Sequence, residues 1–430
     1  MAARLEALRG TNDLLPEEAI RWQAVEQKAR QILHRYGFKE IRTPLLESAE
    51  VFLRSLGEAT EIVQKQMYLF KDRGDRTVAL RPEGTASAVR AFLEHGLDKT
   101  SSMTKWFYIG PMFRAERPQA GRLRQFHQMG VEVFGASSPL EDVEVIALLL
   151  QLLKSLGIRR AALKINNLGC RNDRPARIEA LRAFFSQHVD KLCEDCKQRL
   201  RTNPLRILDC KEAQCQKIID ENKIPDTAFC SECLGHWKSV LDALQQLRIP
   251  YERDFRLVRG LDYYTRTAFE VVHEGLGAQS AVGGGGRYDE LVEQMGGQPT
   301  PAVGFALGFE RLMMALEFEK VVLDSQGPSP VYLAVLGEAA QAKALELLQA
   351  LRGAGVAAVG EFESRSLKRQ MESANKQGCP IVLMMGDDEL AKGTVTLRDM
   401  VKRDQAEVTW EGCVDEVLRR LSIGRSGVAA

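Results

Sequence analysis

A chain of 430 residues with 45% apolar content has room for two or three domains with true cores. Its 59 Lys and Arg stand against 58 Asp and Glu, a net charge of +1, which excludes a global field for nucleic acid and leaves such binding to local patches. The N-terminal MAARLEALRG has no apolar signal core and no run approaches a membrane span, so the reading is a soluble, cytoplasmic protein whose nine cysteines are thiols or metal ligands.

Arg9 to Pro16 reads as irregular, and Pro16 suits the first turn of a helix whose apolar stripe is Trp22, Val25, Ala29, Ile32, Leu33 and Tyr36, closed by Gly37. Phe38 to Glu47 follows as a short strand broken by Pro44, the mark of an edge strand open to a partner subunit. Tyr68–Phe70 and Val78–Leu80 read as paired strands, closed by Arg81-Pro82-Glu83-Gly84-Thr85. Turn carboxylates such as Glu83 are usually solvated, so local evidence alone gives it no role.

From Lys105 to Gly135 two apolar runs flank a loop rich in arginine, the pattern of a hairpin whose tip meets an anion. Alternation in the second run puts Phe126, Gln128, Gly130, Glu132 and Phe134 on one face, and Met129, Val131 and Val133 on a core face. The first face has an open floor at Gly130 between Gln128 and Glu132, polar groups that need partners when buried and that a polar ligand would supply. Arg114, Arg117, Arg122 and Arg124 suit a phosphate clamp, although a solvated turn accounts for them equally well.

Ser138-Pro139-Leu140-Glu141 then starts an apolar helix through Leu156, and Leu163–Asn166 reads as a strand. From Gly169 to Leu247 the texture changes to dense charge, helical periodicity and most of the cysteines, which reads as an insertion. Cys193-x-x-Cys196 and Cys230-x-x-Cys233 have zinc-knuckle spacing, with Cys210 and Cys215 between them; four thiolates make a closed structural zinc site, and reduced thiols on helices are the plainer reading. Strands resume at Phe255–Val258 and Thr267–Val272, Gly283–Gly286 precede Arg287-Tyr288-Asp289, and Ala302–Leu307 runs through Gly308 into a helix carrying Glu310 and Arg311. Hairpin connections predict a mostly antiparallel sheet. Neither a GxxxxGK[ST] loop nor a GxGxxG fingerprint after a strand occurs, so a nucleotide here is held by arginines, of which Arg114, Arg122, Arg259 and Arg311 are candidates. The glycines from Gly283 mark close approach to a bound molecule, or a bulge. Past the Ser325–Pro330 linker, strands at Val331–Val335, Ile381–Met385 and Thr394–Leu397 alternate with helices at Ala339–Arg352 and Arg365–Lys376, a separate α/β pattern.

Phe113-Arg114-Ala115-Glu116-Arg117-Pro118 with Arg124-Gln125-Phe126-His127-Gln128 resembles motif 2 of the class II aminoacyl-tRNA synthetases. AVGFALGFERL from Ala302 resembles motif 3, and the surroundings of Pro44 resemble motif 1. RGLDYYTRTAFE from Arg259 and GGGRYDELVEQMGG from Gly284 resemble the two signature segments of the histidyl-tRNA synthetase family. Leu123 and Glu290 depart from the family pattern without removing an expected ligand.

The resemblance implies an α+β catalytic domain with a mostly antiparallel sheet (1–168 and 248–325), a helical insertion (169–247) and an α/β anticodon-binding domain (329–430). The implied activity joins L-histidine to histidine tRNA through a histidyl-adenylate, with ATP and Mg2+ as substrate, in a homodimer formed through the motif 1 region. The alternative is a non-catalytic, synthetase-like regulatory subunit of histidine biosynthesis. By the same resemblance Arg114 and Arg259 are catalytic at the α-phosphate. ATP is further held by Glu116, Arg122, Phe126 and Arg311. Histidine is held by Glu83, Gly84, Thr85, Gln128, Glu132, Tyr263, Tyr264 and Tyr288, beside Arg114 and Arg259. Arg117 and Gln119 are left for the tRNA acceptor end, and Arg365, Lys368, Arg369 and Lys376 for RNA phosphate, where helix charge is more often only solvated.

Overall fold

Proline and capping chemistry set the first helix: with Pro16 in its first turn, α1 (Pro16–Arg35) buries Trp22, Val25, Ala29, Ile32 and Leu33, the stripe expected from the sequence. The computed structural model describes residues 5–57, 60, 62–100, 102–119, 121–222, 224–225, 229–259, 262–323, 329–363 and 365–426. Most of the expected linker, and Gly260 and Leu261 of the first signature segment, lie outside the described residues. The chain divides into two compact units, Met1–Leu323 and Asp324–Ala430.

After α1 the first unit runs β1 (Lys39–Glu40), β2 (Leu46–Ser48), α2 (Ala49–Leu56), β3 (Tyr68–Lys71), β4 (Thr77–Leu80), α3 (Thr85–Glu94), α4 (Leu97–Thr100), β5 (Thr104–Phe113) and β6 (Gln125–Phe134). There follow α5 (Pro139–Ser155), β7 (Ala161–Asn167), α6 (Arg174–Ser186), α7 (Glu194–Thr202), α8 (Ala213–Glu221) and α9 (Ser231–Gln246). It ends with β8 (Glu252–Arg253), β9 (Thr265–His273), β10 (Ala281–Arg287), α10 (Leu291–Gln294), β11 (Ala302–Gly308) and α11 (Phe309–Phe318). Eight strands form one sheet in the order β1-β5-β6-β11-β10-β9-β7-β8, antiparallel except for the parallel outer pairs β1 with β5 and β7 with β8. The Pro44 segment separates β1, at the sheet's edge, from β2, which pairs with β4 in a second, three-stranded sheet.

Met129, Val131 and Val133 of β6 enter the main core with Leu148, Leu149 and Leu152 of α5, Phe269 of β9 and Phe305 of β11. Val240 and Leu244 of α9 join this core. Leu181, Phe185, Cys196, Leu200, Ile207, Cys215 and Ile219 instead make a separate small core under α6 to α8. That division splits the cysteines differently from the sequence reading. Cys193 and Cys196 gather with Cys210 and Cys215, whereas Cys230 and Cys233, carried off by α9, gather with Cys170 and Asp173. The strand expected at Phe255–Val258 is also displaced. The Asp254 carboxylate accepts the Arg256 N–H at 3.0 Å and its carbonyl accepts Leu257 N–H at 3.0 Å, a turn that confines the strand to Glu252–Arg253.

The second unit comprises β12 (Val331–Val335), α12 (Ala339–Gly353), β13 (Ala358–Gly360), α13 (Leu367–Lys376), β14 (Ile381–Met385), α14 (Asp387–Lys392), β15 (Thr394–Asp399), β16 (Gln405–Thr409) and α15 (Trp410–Ser426). Its five-stranded mixed sheet, in the order β13-β12-β14-β15-β16, buries one face against Ala344 and Leu348 of α12 and Val417 of α15, and the other against Ala374 of α13. Arg365 is committed to Glu361 and Glu363, at 2.6 and 3.0 Å.

Candidate active site

Strand register builds the floor. Opposite residues of neighbouring antiparallel strands share a face, so one row crosses the sheet as Tyr108, Gly130, Ala306, Gly284 and Glu270. The next row is Trp106, Glu132, Gly304, Gly286 and Ala268. Small residues at the centre of both rows make room for the side chains laid over them, Glu132 at Gly304 and Arg259 at Gly284, and Gly284, Gly304 and Ala306 line a cavity of about 330 Å³. Gly130 is not the open floor that alternation suggested: Tyr108 lies over it, and a Cβ there would stand 2.3 Å from its phenol. Gly84, expected as a ligand, does not line the cavity, because the same ring occupies the space beside it. Of the two readings of the glycine run, the irregularity in the strand is present. Gly283 and Gly284 border the cavity, and β10 shifts register against β9 on either side of the run.

The remaining expected groups, Glu83, Thr85, Arg114, Glu116, Arg122, Phe126, Gln128, Glu132, Arg259, Tyr263, Tyr264, Tyr288 and Arg311, all line this one cavity. Glu132, 1% exposed, accepts Thr85 Oγ1 at 2.7 Å, Tyr108 OH at 3.3 Å and the Tyr288 hydroxyl. Burial pushes its carboxyl from the ordinary 4.5 up to about 8, against the pull of those hydrogen bonds. Glu83, 4% exposed and so far from a solvated turn, accepts the Thr85 and Ala86 N–H groups at 2.7 Å each, at the start of α3. Its carboxyl is also raised by burial. Thr85 thus ties two carboxyl groups together, one through its amide and one through its hydroxyl.

The arginines of the lining are held by different anchors. Arg114 Nε donates to the Pro82 carbonyl at 2.9 Å, with its guanidinium 5.1 Å from the Phe126 ring centre. Arg122 faces Glu116 at 3.2 Å. Arg259 meets Glu270 at 2.8 Å, and Arg311 donates to the carbonyls of Gly121 and Ala281 at 3.1 and 2.9 Å. Arg259 also has φ 61°, left-handed backbone that a residue with a Cβ rarely adopts without compensation. Among the described residues of the lining, two buried polar atoms lack a partner, Gln128 Oε1 and Arg259 Nε. An unpaired acceptor and an unpaired donor in one cavity suit a ligand with a cationic and an anionic part. Sequence reasoning missed Tyr108, Glu270 and Gly304. Alternation along the two strands is the signal for Glu270, but Tyr108 and Gly304 acquire their roles only from cross-strand register.

An antiparallel sheet carrying arginines on the β5–β6 hairpin, at the head of β9 and on the helix after β11 defines the catalytic domain of a class II aminoacyl-tRNA synthetase. The family model for histidyl-tRNA synthetase matches residues 10–312, and that for an anticodon-binding domain matches residues 330–420. The chain is 48% identical over 404 residues to the histidine–tRNA ligase of Natranaerobius thermophilus, covering 94% of this chain and 96% of that one. It is 47% identical over 417 residues to that of Pelotomaculum thermopropionicum, covering 97% and 98%. The crystal structure of apo S. aureus histidyl-tRNA synthetase superposes with a TM-score of 0.79 at 35% identity, over 96% of this chain and 99% of that one. The chain belongs to the histidyl-tRNA synthetase family.

Proposed function

We propose that the protein ligates L-histidine to histidine tRNA in two steps on one site. A carboxylate oxygen of histidine attacks the α-phosphorus of ATP and pyrophosphate departs, giving histidyl-adenylate. A terminal ribose hydroxyl of the tRNA then attacks the carbonyl carbon and AMP departs. The observation that carries this reading is that one cavity is lined both by the buried carboxyl groups of Glu83 and Glu132 and by the arginines Arg114, Arg122, Arg259 and Arg311.

Glu132 and Tyr264 take the imidazole, with Tyr263 and Tyr288 as walls, and Glu83, Thr85 and the unpartnered Gln128 Oε1 take the ammonium group. A site that pairs polar groups of its substrate leaves them unpaired on a wrong amino acid, costing on the order of 10⁴-fold in discrimination. Arg114 and Arg259 flank the α-phosphate, where charge spreads in the transition state, with Arg122 nearby and oriented by its ion pair to Glu116, while Arg311 holds the other side of the triphosphate and Phe126 stacks on adenine. Mg2+ enters with the triphosphate as substrate, offsetting its charge. Positioning and electrostatics supply most of the acceleration. Arg117 and Gln119, both exposed at the hairpin tip, are free to meet the tRNA acceptor end.

The working form is a homodimer through the motif 1 region: β1 is an edge strand, and Leu45, Leu46, Leu69 and Phe70 nearby in the fold are exposed apolar side chains. A role in translation places it in the cytoplasm. Histidine-dependent exchange of pyrophosphate into ATP, followed by acylation of histidine tRNA, tests the reaction. Activity in both is expected. Silence in both refutes it and leaves the regulatory-subunit alternative.

A further inference from the structure

The core under α6 to α8 is small for what it must hold. α7 and α8 are nine residues each, and the apolar residues that cover them are few. Units of this size usually rely on a covalent or metal staple. At the centre of this one stand four sulfurs, those of Cys193, Cys196, Cys210 and Cys215, all within 4.8 Å of one another. Cys196, Cys210 and Cys215 are buried, and none of the four is in a disulfide.

The geometry is that of a metal ligand set. Four thiolates at about 2.3 Å from a tetrahedral zinc ion stand about 3.8 Å from one another, and Cys193 Sγ lies 3.8 Å from Cys210 Sγ. A disulfide requires about 2.05 Å and joins only two. Backbone N–H groups already point at the sulfurs, Cys193 N at Cys215 Sγ (3.3 Å) and Glu212 N at Cys210 Sγ (3.5 Å), donors that stabilise thiolate charge. The Cys-x-x-Cys pair straddles the start of α7, with Cys193 as its N-cap residue, so two ligands come from one helix end, one (Cys210) from the segment leading into α8 and one (Cys215) from the first turn of α8. We propose that Cys193, Cys196, Cys210 and Cys215 hold one zinc ion as a closed, structural centre, and that this centre braces the amino-acid pocket.

The bracing follows from what lies between the ligands. Asn203 Nδ2 donates to Asp262 Oδ1 at 2.8 Å and Arg206 Nε to the same oxygen at 3.2 Å, while Asp209 borders the active cavity. Asp262 immediately precedes Tyr263 and Tyr264. The metal therefore fixes both ends of the segment that clasps the backbone behind two walls of the pocket. The second group, three cysteines with Asp173, lies outside this small core and outside the segment between the four ligands, so no bracing follows from it.

The test uses the full-length protein purified without chelator, alongside the Cys210→Ser/Cys215→Ser double variant. Elemental analysis is expected to find at least one equivalent of zinc per parent chain and one fewer in the variant, and cobalt loaded in its place should show the intense visible bands of a tetrahedral thiolate site only in the parent. Less than about a tenth of an equivalent in the parent, iron in place of zinc, or unchanged content in the variant overturns the proposal. Where the variant does not fold, the parent stripped with a strong chelator and reloaded with zinc decides: a melting temperature that falls on stripping and returns with zinc supports the site, and one that does not move refutes it. The bracing role rests on the proposed reaction and has its own measure. In pyrophosphate exchange, loss of zinc should raise the KM for histidine several-fold and leave that for ATP near its parent value. An unchanged KM for histidine in a zinc-free protein refutes the brace without touching the metal site.

Discussion

At the scale of single residues, the molecule spends stability on its site, and Glu132 is where this is measurable. Burial disfavours its charge and pushes its carboxyl from the ordinary 4.5 up to about 8. A raised folded-state value means that the folded protein binds the proton more tightly than the unfolded chain, so the associated stability is fully present below about pH 4.5 and is lost as the pH rises to about 8. Glu132→Gln removes this dependence. Relative to that variant, the parent's melting temperature should fall steadily between those limits and level off above them, as followed by calorimetry without ligand. A difference independent of pH would contradict the assignment. The variant should also lose most of its histidine-dependent exchange. Arg259 makes the opposite case, a cation whose work lies in the transition state. Arg259→Ala should lower kcat for exchange by about 10²- to 10³-fold while the affinity for histidine, measured by calorimetry, changes less than about tenfold. Equal losses in the two would assign Arg259 to ground-state binding alone.

At the scale of elements, what was legible followed from local chemistry. α1 announced itself by Pro16 and its stripe. α5 did so by Ser138, whose hydroxyl accepts the Leu140 N–H at 3.2 Å. β6 could be read by alternation even to its polar face. What failed needed information from distant parts of the chain. Asp254 overrode an apolar run by closing a turn, Tyr108 filled the space above Gly130 from the neighbouring strand, and the two Cys-x-x-Cys pairs parted because α9 joins the main core. A buried ion network is another such feature. Arg287, at the end of β10, is fully buried and pairs with Asp142 of α5, which also meets His236 of α9 at 2.7 Å; Arg287 further donates to Ser138 O at 3.0 Å and faces Asp289 at 3.0 Å. Burial works against the charge on Asp142, yet Arg287 and His236 hold its carboxyl below the usual range. Arg287→Ala strands that charge, at a cost of about 3–5 kcal/mol. Denaturant unfolding should register the loss, and because Tyr288 follows directly, histidine affinity should fall with it. A variant as stable as the parent would show that the network contributes nothing.

At the scale of the whole molecule, the two units carry separable work. Every cavity-lining residue falls between Ile62 and Arg311, and the second unit has its own cores on the two faces of its own sheet. Sequence pattern showed that second α/β unit through its alternation of strands and helices, although β13, three residues long, was too short to be seen and β16 too polar and exposed. Adenylate formation needs only the first unit, whereas selecting one tRNA among many needs the extra contacts and charge that a second surface provides. A chain ending at residue 323 should therefore retain histidine-dependent pyrophosphate exchange within about tenfold of the parent while acylation of histidine tRNA falls by about 10²-fold or more, since linked binding surfaces together gain that much over either alone. The assays share enzyme, histidine and ATP, so the ratio of the two rates is insensitive to the fraction of the shortened chain that folds. A ratio equal to the parent's would show that the second unit plays no part in engaging tRNA.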